Sequence, residues 1–181
     1  MLQISLLIRK MGKRVAVATI ALVMSVSAFA QERGDIAIGV NTLGGLYSEK
    51  TYSYGIGAKF LYNITAPIRV AGEFDYSVGT KKDASLVSYY FKDLSLYAHY
   101  LFPLDSYTVL YPLVGVGLFG IKTEATIFGT TYSASESRTA FAVGGGFEYA
   151  VTSHLIVNGE LRLKLHGGNH FIYLVGLSYI F

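Results

Sequence analysis

The chain has 181 residues, of which 52% are hydrophobic and only 15% charged, with 20 Gly, 15 Tyr and neither Cys nor Trp. The absence of Cys excludes a disulfide scaffold, a thiolate metal site and a catalytic thiol. Average soluble domains are about 25% charged, so this chain is poor in charge. After residue 30, however, it contains no run of about 20 apolar residues, which a membrane-spanning helix needs. A membrane-like composition divided into short segments favours strands.

The first 30 residues have the pattern of a secretory signal peptide. Four basic residues between positions 9 and 14 are followed by an apolar and small-residue stretch over 15–30. This stretch ends in Ala28-Phe29-Ala30, which fits a cleavage site with Ala28 and Ala30 at the recognised positions. We therefore predict a signal peptide over 1–30. A single membrane anchor is the alternative, which is disfavoured because the stretch is short for a span.

Removing the predicted signal changes the charge of the chain. Residues 1–30 hold four of the 15 basic residues and none of the 12 acidic ones, so 11 basic and 12 acidic residues remain in 31–181. The basic pI of about 9.0 thus belongs to the signal, and we expect no nucleic-acid partner. Residues 31–181 are predicted to form one domain. Either Met1 or Met11 fits the start of the signal.

Eight strand-like segments follow one another in this domain: 35–42, 52–64, 68–78, 87–102, 107–122, 138–151, 155–165 and 171–181. The connections alternate between short turns (65–67, 103–106, 152–154) and mostly longer, polar loops (43–51, 79–86, 123–137, 166–170). This rhythm is typical of outer-membrane barrels, which have short periplasmic turns and longer outer loops. We predict an all-β fold, an eight-stranded antiparallel up-and-down transmembrane barrel with both termini on the periplasmic side.

Apolar and polar residues alternate within the predicted strands. In 155–165, for example, Leu161 and Leu163 share one face while Glu160, Arg162 and Lys164 share the other, which is the period of a strand. The polar face is rich in Gly, Ala and Ser and suits a narrow lumen, so we expect the apolar face to contact lipid. A soluble lipocalin-like barrel would have the opposite orientation. The segment 109–121 is almost wholly apolar, and a buried helix is its alternative.

The C-terminal segment carries a resemblance. It reads Tyr173-Leu-Val-Gly-Leu-Ser-Tyr-Ile-Phe181, with Leu177, Tyr179 and Phe181 in alternation. With the length and the strand rhythm of 31–181, it resembles the outer-membrane β-barrel (porin-like) domain family, which includes small OmpA-type and OmpX-type barrels. The resemblance implies a Gram-negative outer-membrane protein in the cell envelope. The three alternating residues resemble the signal that the barrel-assembly machinery reads in that family, which implies this machinery as a partner during insertion.

The expected orientation directs ten charged or histidine side chains into the lumen. The interior of an eight-stranded barrel is only wide enough to be filled by side chains. Unpaired charges there are costly, so we expect a cross-linked polar network that fills the barrel; a narrow ion path is the alternative. The ten residues are Lys59, Arg69, Glu73, Asp75, Asp93, His99, Glu148, Glu160, Arg162 and Lys164.

No catalytic, cofactor or metal site is predicted. Ser153-His154 lies in a predicted periplasmic turn, and no nucleophile is placed by spacing beside His99. His166 and His170 flank a glycine-rich loop, but two imidazoles make an incomplete metal site. We therefore predict that the protein is not an enzyme.

The predicted loops are the best candidates for a function at the cell surface. The longest, 123–137, is rich in Thr, Ser, Tyr and Ala and is our candidate for binding a surface partner, while Lys81 and Lys82 in 79–86 are candidates for contacting lipopolysaccharide phosphates. We predict an integral outer-membrane barrel, surrounded by outer-membrane lipid and lipopolysaccharide, with a structural or surface-interaction role. The alternatives are a narrow porin-like channel for ions or small solutes and a lipocalin-like periplasmic ligand binder.

Overall fold

A computed structural model describes residues 33–47, 51–81, 87–127, 130–165 and 169–181. The regular structure in these ranges consists of strands: β1 Ile36–Tyr47, β2 Thr51–Asn63, β3 Ile68–Lys81, β4 Val87–Tyr100, β5 Phe102–Pro103, β6 Thr108–Ile127, β7 Thr130–Ala150, β8 Leu155–Leu165 and β9 Asn169–Ile180. Within the same ranges, no helix is long and apolar enough to cross a membrane. The predicted signal peptide, with Ala28 and Ala30, lies outside the described residues and stays a prediction.

The eight long strands form one closed antiparallel sheet. Each long strand pairs with the next one along the chain, and the circle is closed by pairing of β1 with β9. The two-residue β5 pairs with β6 next to the end of β4. Starting at Ala37 and stepping from strand to strand along the hydrogen-bonded register, the path returns to β1 at Tyr47, ten residues along. This stagger tilts the strands by roughly 40° to the barrel axis. The predicted eight-stranded barrel is confirmed.

The apolar side chains of the wall point outward. Leu161, Phe74 and Val175 are 56%, 49% and 58% exposed, whereas Arg162 and Glu73 are each 2% exposed. Successive residues of a strand point to opposite faces, so this alternation defines an apolar exterior and a polar interior. A barrel in water would have the reverse, and the lipocalin-like alternative is therefore wrong. The helical alternative for 109–121 is wrong as well, because this segment lies in β6.

The longest predicted loop is not a loop. Residues 123–127 and 130–137 lie in the outer parts of β6 and β7, which stay in register from Thr108↔Tyr149 to Ile127↔Thr130; this pair of strands is called the outer hairpin below. The sequence was misleading because this part extends above the apolar band. Residues 132–139 are all exposed, so an apolar–polar alternation is not required there. Its β-branched threonines and Tyr132 favour strand conformation nonetheless.

Three further predicted loops are shorter than expected. β1 continues to Tyr47, β3 to Lys81, and β9 begins at Asn169. The residues between the strands, 48–50, 82–86 and 166–168, lie outside the described residues, and so do Lys82 and His166. The predicted strand over 87–102 ends earlier, at Tyr100, and the short β5 follows after Leu101.

Candidate functional site: the barrel interior and the outer hairpin

All ten side chains that the sequence directed to the lumen are buried. They lie on β2, β3, β4, β7 and β8, and none is more than 5% exposed. Apart from Arg162–Glu160, which lies within β8, the ion pairs among them join strands on opposite sides of the barrel, so the side chains meet in its centre. They form one stack of charge between the two ends of the lumen.

Glu160 is the hub of the stack. Lys59 donates a hydrogen bond of 3.2 Å and the Tyr111 hydroxyl one of 2.9 Å to Glu160 Oε1. The guanidinium of Arg162 donates to Glu160 Oε2, through Nε at 2.8 Å and through Nη2. Arg162 also donates to Glu73, which lies 89 residues away in sequence. Arg162 thus pairs with two carboxylates, those of Glu73 and Glu160, and Glu160 also pairs with Lys59.

A second cluster lies towards the end of the barrel where β1 begins and β9 ends. Arg69 pairs with Glu148 at 2.8 Å. Its Nε donates to Nδ1 of His99 at 3.2 Å, which requires that this ring nitrogen be unprotonated. The guanidinium of Arg69 also lies over the Tyr111 ring, 5.0 Å from its centroid. Around this cluster, Leu61, Leu113 and other apolar residues pack in the interior.

The upper part of the stack contains Lys164 and Asp93, which pair at 2.6 Å. The Ser95 hydroxyl also donates to Asp93. Above them, the rings of Phe91 and Phe119 stack with centroids 5.7 Å apart, and the ring of His170 packs against both. The lumen is thus occupied by side chains at both ends and in the middle.

Asp75 is the exception in this network. It is 5% exposed, and none of the described residues forms an ion pair with it. In the described part of the chain, its Oδ1 has no hydrogen-bond partner, and neither has Oδ1 of Asn41. The two oxygens lie on either side of Gly57, where an added Cβ would overlap both. The amide of Asn41 is oriented by its Nδ2, which donates to Glu73 at 2.6 Å.

Neutral residues that the sequence analysis did not single out complete the interior. Tyr97 and Tyr111 lie under the guanidinium groups of Arg162 and Arg69. Strand parity was the available signal, because both tyrosines share the inward face with the charges, but parity does not distinguish a tyrosine that contacts an arginine from one that fills space. In the described part of the chain, no group of three or more His, Cys, Asp or Glu is arranged to hold a metal ion.

The residues predicted for barrel assembly and the Ser-His pair lie at the rim. Leu177, Tyr179 and Phe181 point outward and are 48%, 49% and 71% exposed. Ser153 Oγ and His154 Nδ1 are 2.9 Å apart in the exposed turn before β8. The His154 ring stacks on Tyr179 at 5.7 Å, which gives it a packing role in the turn.

The outer hairpin has one covered and one open side. On the β6 side, pairing with β4 continues up to Val87↔Ala125. On the β7 side, pairing with β8 begins at Phe141↔Leu165, so among the described residues 130–140 pair only with β6. Two exposed ion pairs lie on the hairpin: Lys122–Glu124 and Arg138–Glu136, both at 2.7 Å. The hydrogen bond from Lys122 to Glu124 raises the pKa of this lysine.

Solved structures with a similar fold are small outer-membrane barrels. Ail of Yersinia pestis, in complex with the heparin analogue sucrose octasulfate, is 24% identical with a TM-score of 0.58, covering 82% of this chain and 99% of Ail. The neisserial surface protein A (NspA) is 18% identical with a TM-score of 0.55, covering 81% of this chain and 96% of NspA. The N-terminal β-barrel domain of Pseudomonas aeruginosa OprF is 18% identical with a TM-score of 0.51, covering 83% of this chain and 100% of that domain.

At these identities the structural similarity shows the fold alone. No curated protein sequence matches the chain. The profile of one family, described as "Outer membrane protein beta-barrel domain", matches residues 16–181. This match covers most of the sequence and agrees with the closed barrel, its apolar exterior and its polar interior. The chain belongs to the outer membrane protein beta-barrel domain family.

Proposed function

We propose that this outer-membrane barrel is a non-enzymatic surface-interaction protein that presents the β6–β7 hairpin to a protein partner. The observation that carries the proposal is the edge of β7 over 130–140, which among the described residues pairs only with β6 and stands above a barrel wall whose strands are paired on both sides. An open strand edge presents backbone N–H and C=O groups that can add an extended segment of another chain.

The composition of the edge suits reversible binding. Residues 132–139 are exposed and mostly small and polar, and they include the ion pair Arg138–Glu136. Small side chains let another backbone approach closely, and the ion pair discourages uncontrolled edge-to-edge association. The partner that fits is an extended peptide segment of a surface protein, bound mainly through its main chain.

The test is adhesion of intact cells that display the protein. Replacing 123–134 by Asn-Gly would close the hairpin after the pair Lys122↔Ser135, leaving the wall below unchanged. We expect this variant to reach the surface in normal amounts and to lose adhesion to immobilised host-surface protein. The matched control, Ser133→Thr with Ser135→Thr, keeps the strand and should keep adhesion. Equal adhesion by wild type and the shortened variant would sink the proposal.

Ail in complex with a heparin analogue supports a second binding assay, in which heparin-coated surfaces replace protein-coated ones. Binding to heparin that survives hairpin shortening would indicate a polysaccharide ligand rather than a strand partner.

The predicted roles of Leu177, Tyr179 and Phe181 in barrel assembly are tested separately, by measuring how deletion of Phe181 alters insertion into the outer membrane.

The channel alternative has a direct test in planar bilayers. The ionic stack and its aromatic cover occupy the lumen, so we expect no steady conductance from the folded protein. Stable openings with a reproducible unit conductance would favour the channel alternative instead.

A further inference from the structure

The outward face of the wall changes from apolar to charged at one position on β4. Towards the periplasmic end, the outward residues of β4 are Leu94, Leu96, Ala98 and Tyr100, and none carries a charge. The next outward residue in the other direction is Lys92, which is exposed. A lysine on the lipid face is costly at the bilayer centre and nearly free at the interface. Lys92 therefore marks the outer boundary of the hydrocarbon on this side of the barrel.

Lys92 lies in a groove at this boundary. The groove has a volume of about 620 Å³, and Tyr76, Tyr90, Gly120 and Lys122 are among its lining residues. Gly120 is the register partner of Lys92 on β6, and a Cβ added to it would find no atom closer than 3.7 Å. The missing side chain opens the wall beside the ammonium group.

The groove holds a positive charge without a partner. Lys122 pairs with Glu124, and Glu136 pairs with Arg138. Among the described residues, no carboxylate lies within ion-pair distance of Lys92. An ammonium group between two tyrosines, at the edge of an apolar surface, attracts an anion that is itself anchored in lipid.

A second, apolar groove lies directly below on the same strands. It has a volume of about 730 Å³, and its lining includes Phe74, Leu94 and Leu118. These are the next outward residues below Tyr76, Lys92 and Gly120. Gly72 and Ala58 contribute the small side chains that deepen it. The two grooves together have the shape and polarity of a molecule with a charged head and acyl chains.

We propose that these grooves form a site for a phosphorylated, acylated lipid of the outer leaflet. Lys92 contacts the phosphate, Lys122 and the tyrosine hydroxyls surround the head, and the acyl chains lie against Phe74, Leu94 and Leu118. The site lies on the wall at the base of the hairpin, and Ser135, Glu136 and Ser137 of the β7 edge line its upper groove. Of the residues that line this groove, the hairpin shortening described above removes only Glu124.

The experiment uses the folded protein in nanodiscs of phosphatidylcholine containing either bis-phosphorylated or phosphate-free lipid A. Lipid A retained by the extracted barrel is measured by native mass spectrometry. We expect wild type to prefer the phosphorylated form. Lys92→Gln should reduce that preference about fivefold, the effect of removing one lysine near a membrane surface. The matched control, Arg33→Gln, removes an exposed charge at the periplasmic end and should leave the preference unchanged.

Gly120→Leu provides an independent variant, because it fills the groove and keeps both lysines. It should also reduce retention, and a heat-modifiable gel shift verifies that each variant is folded. Unchanged preference in both folded variants would overturn the proposal, as would equal retention of phosphorylated and phosphate-free lipid A by wild type. The variant with 123–134 replaced by Asn-Gly should retain lipid A, so a failure here is distinguishable from a failure of the hairpin proposal.

Discussion

Leu161 and Arg162 are neighbours in β8, yet Leu161 is 56% exposed on the outside of the barrel while Arg162 is 2% exposed inside it. The same contrast repeats along the wall. On the outside, a residue is tolerated according to its transfer free energy into hydrocarbon. On the inside, a charge is tolerated according to the completeness of its ion pairs and hydrogen bonds. Two adjacent positions therefore obey different rules, and substitutions can test each rule separately.

The largest effect is expected inside, at Glu160. Glu160→Gln removes the carboxylate that pairs with Lys59 and that, together with Glu73, pairs with Arg162. The variant leaves the buried ammonium group of Lys59 without an anion. Breaking a buried ion pair on one side destabilises a protein by about 3–5 kcal/mol. We expect a loss of that size in the free energy of unfolding, measured by urea titration in lipid vesicles. Glu136→Gln, in an exposed pair on the hairpin, is the control and should cost under about 1 kcal/mol.

The next effect is expected outside, at Leu161. Leu161→Arg places a charge on the lipid face near the middle of β8, where arginine costs about 2–4 kcal/mol. The matched control is Leu104→Arg. Leu104 is similarly exposed, at 59%, but lies in a turn at the barrel rim, where the penalty falls to about 0–1 kcal/mol. Equal losses in the two variants would contradict the assignment of this face to hydrocarbon.

A smaller effect of opposite sign is expected at Asp75, the interior charge without an ion pair. Asp75→Asn removes the unpaired charge at constant size, and the new amide can donate to Asn41 Oδ1, which has no partner. We expect a gain on the order of 1 kcal/mol in the free energy of unfolding. Asp93→Asn on the neighbouring strand removes the partner of Lys164 and should be strongly destabilising. A loss at Asp75 as large as at Asp93 would show that Asp75 has an ionic role that the ion-pair geometry does not reveal.

The sequence predicted the wall because the bilayer imposes a pattern on it. Between the two membrane interfaces, apolar and polar residues must alternate along each strand. The pair Leu161 and Arg162 shows this alternation in the sequence. Above the bilayer this constraint ends. The threonines and serines of 123–137 were therefore interpreted as a loop, although the register from Lys122↔Ser135 to Ile127↔Thr130 shows paired strands.

The contents of the lumen were less predictable than its outline. Parity alone directed the ten residues to one face. It did not show that Arg162 meets Glu73, because that contact depends on the stagger by which the closed sheet brings distant strands together across the barrel. Parity also gave no reason to separate Asp75 from Asp93, which are register partners on β3 and β4. Asp93 differs from Asp75 because Lys164 of β8 forms an ion pair with it, whereas no described residue forms one with Asp75.

The smallest effect is expected at Asp105, which lies in the exposed turn before β6 and therefore neither on the lipid face nor in the lumen. Its carboxylate accepts backbone hydrogen bonds from Tyr107 at 2.7 Å and Thr108 at 2.8 Å, and these bonds, the one from Tyr107 most, lower its pKa. A lowered pKa in the folded state means that the stabilisation is present above the pKa of the unfolded chain, about 3.9, and is lost as the pH falls through the folded value. Asp105→Asn can still accept both bonds but does not titrate. We therefore expect wild type to exceed this variant slightly in urea midpoint at pH 7 and to lose that difference at pH 3. A difference that grows on acidification would contradict this account of the turn.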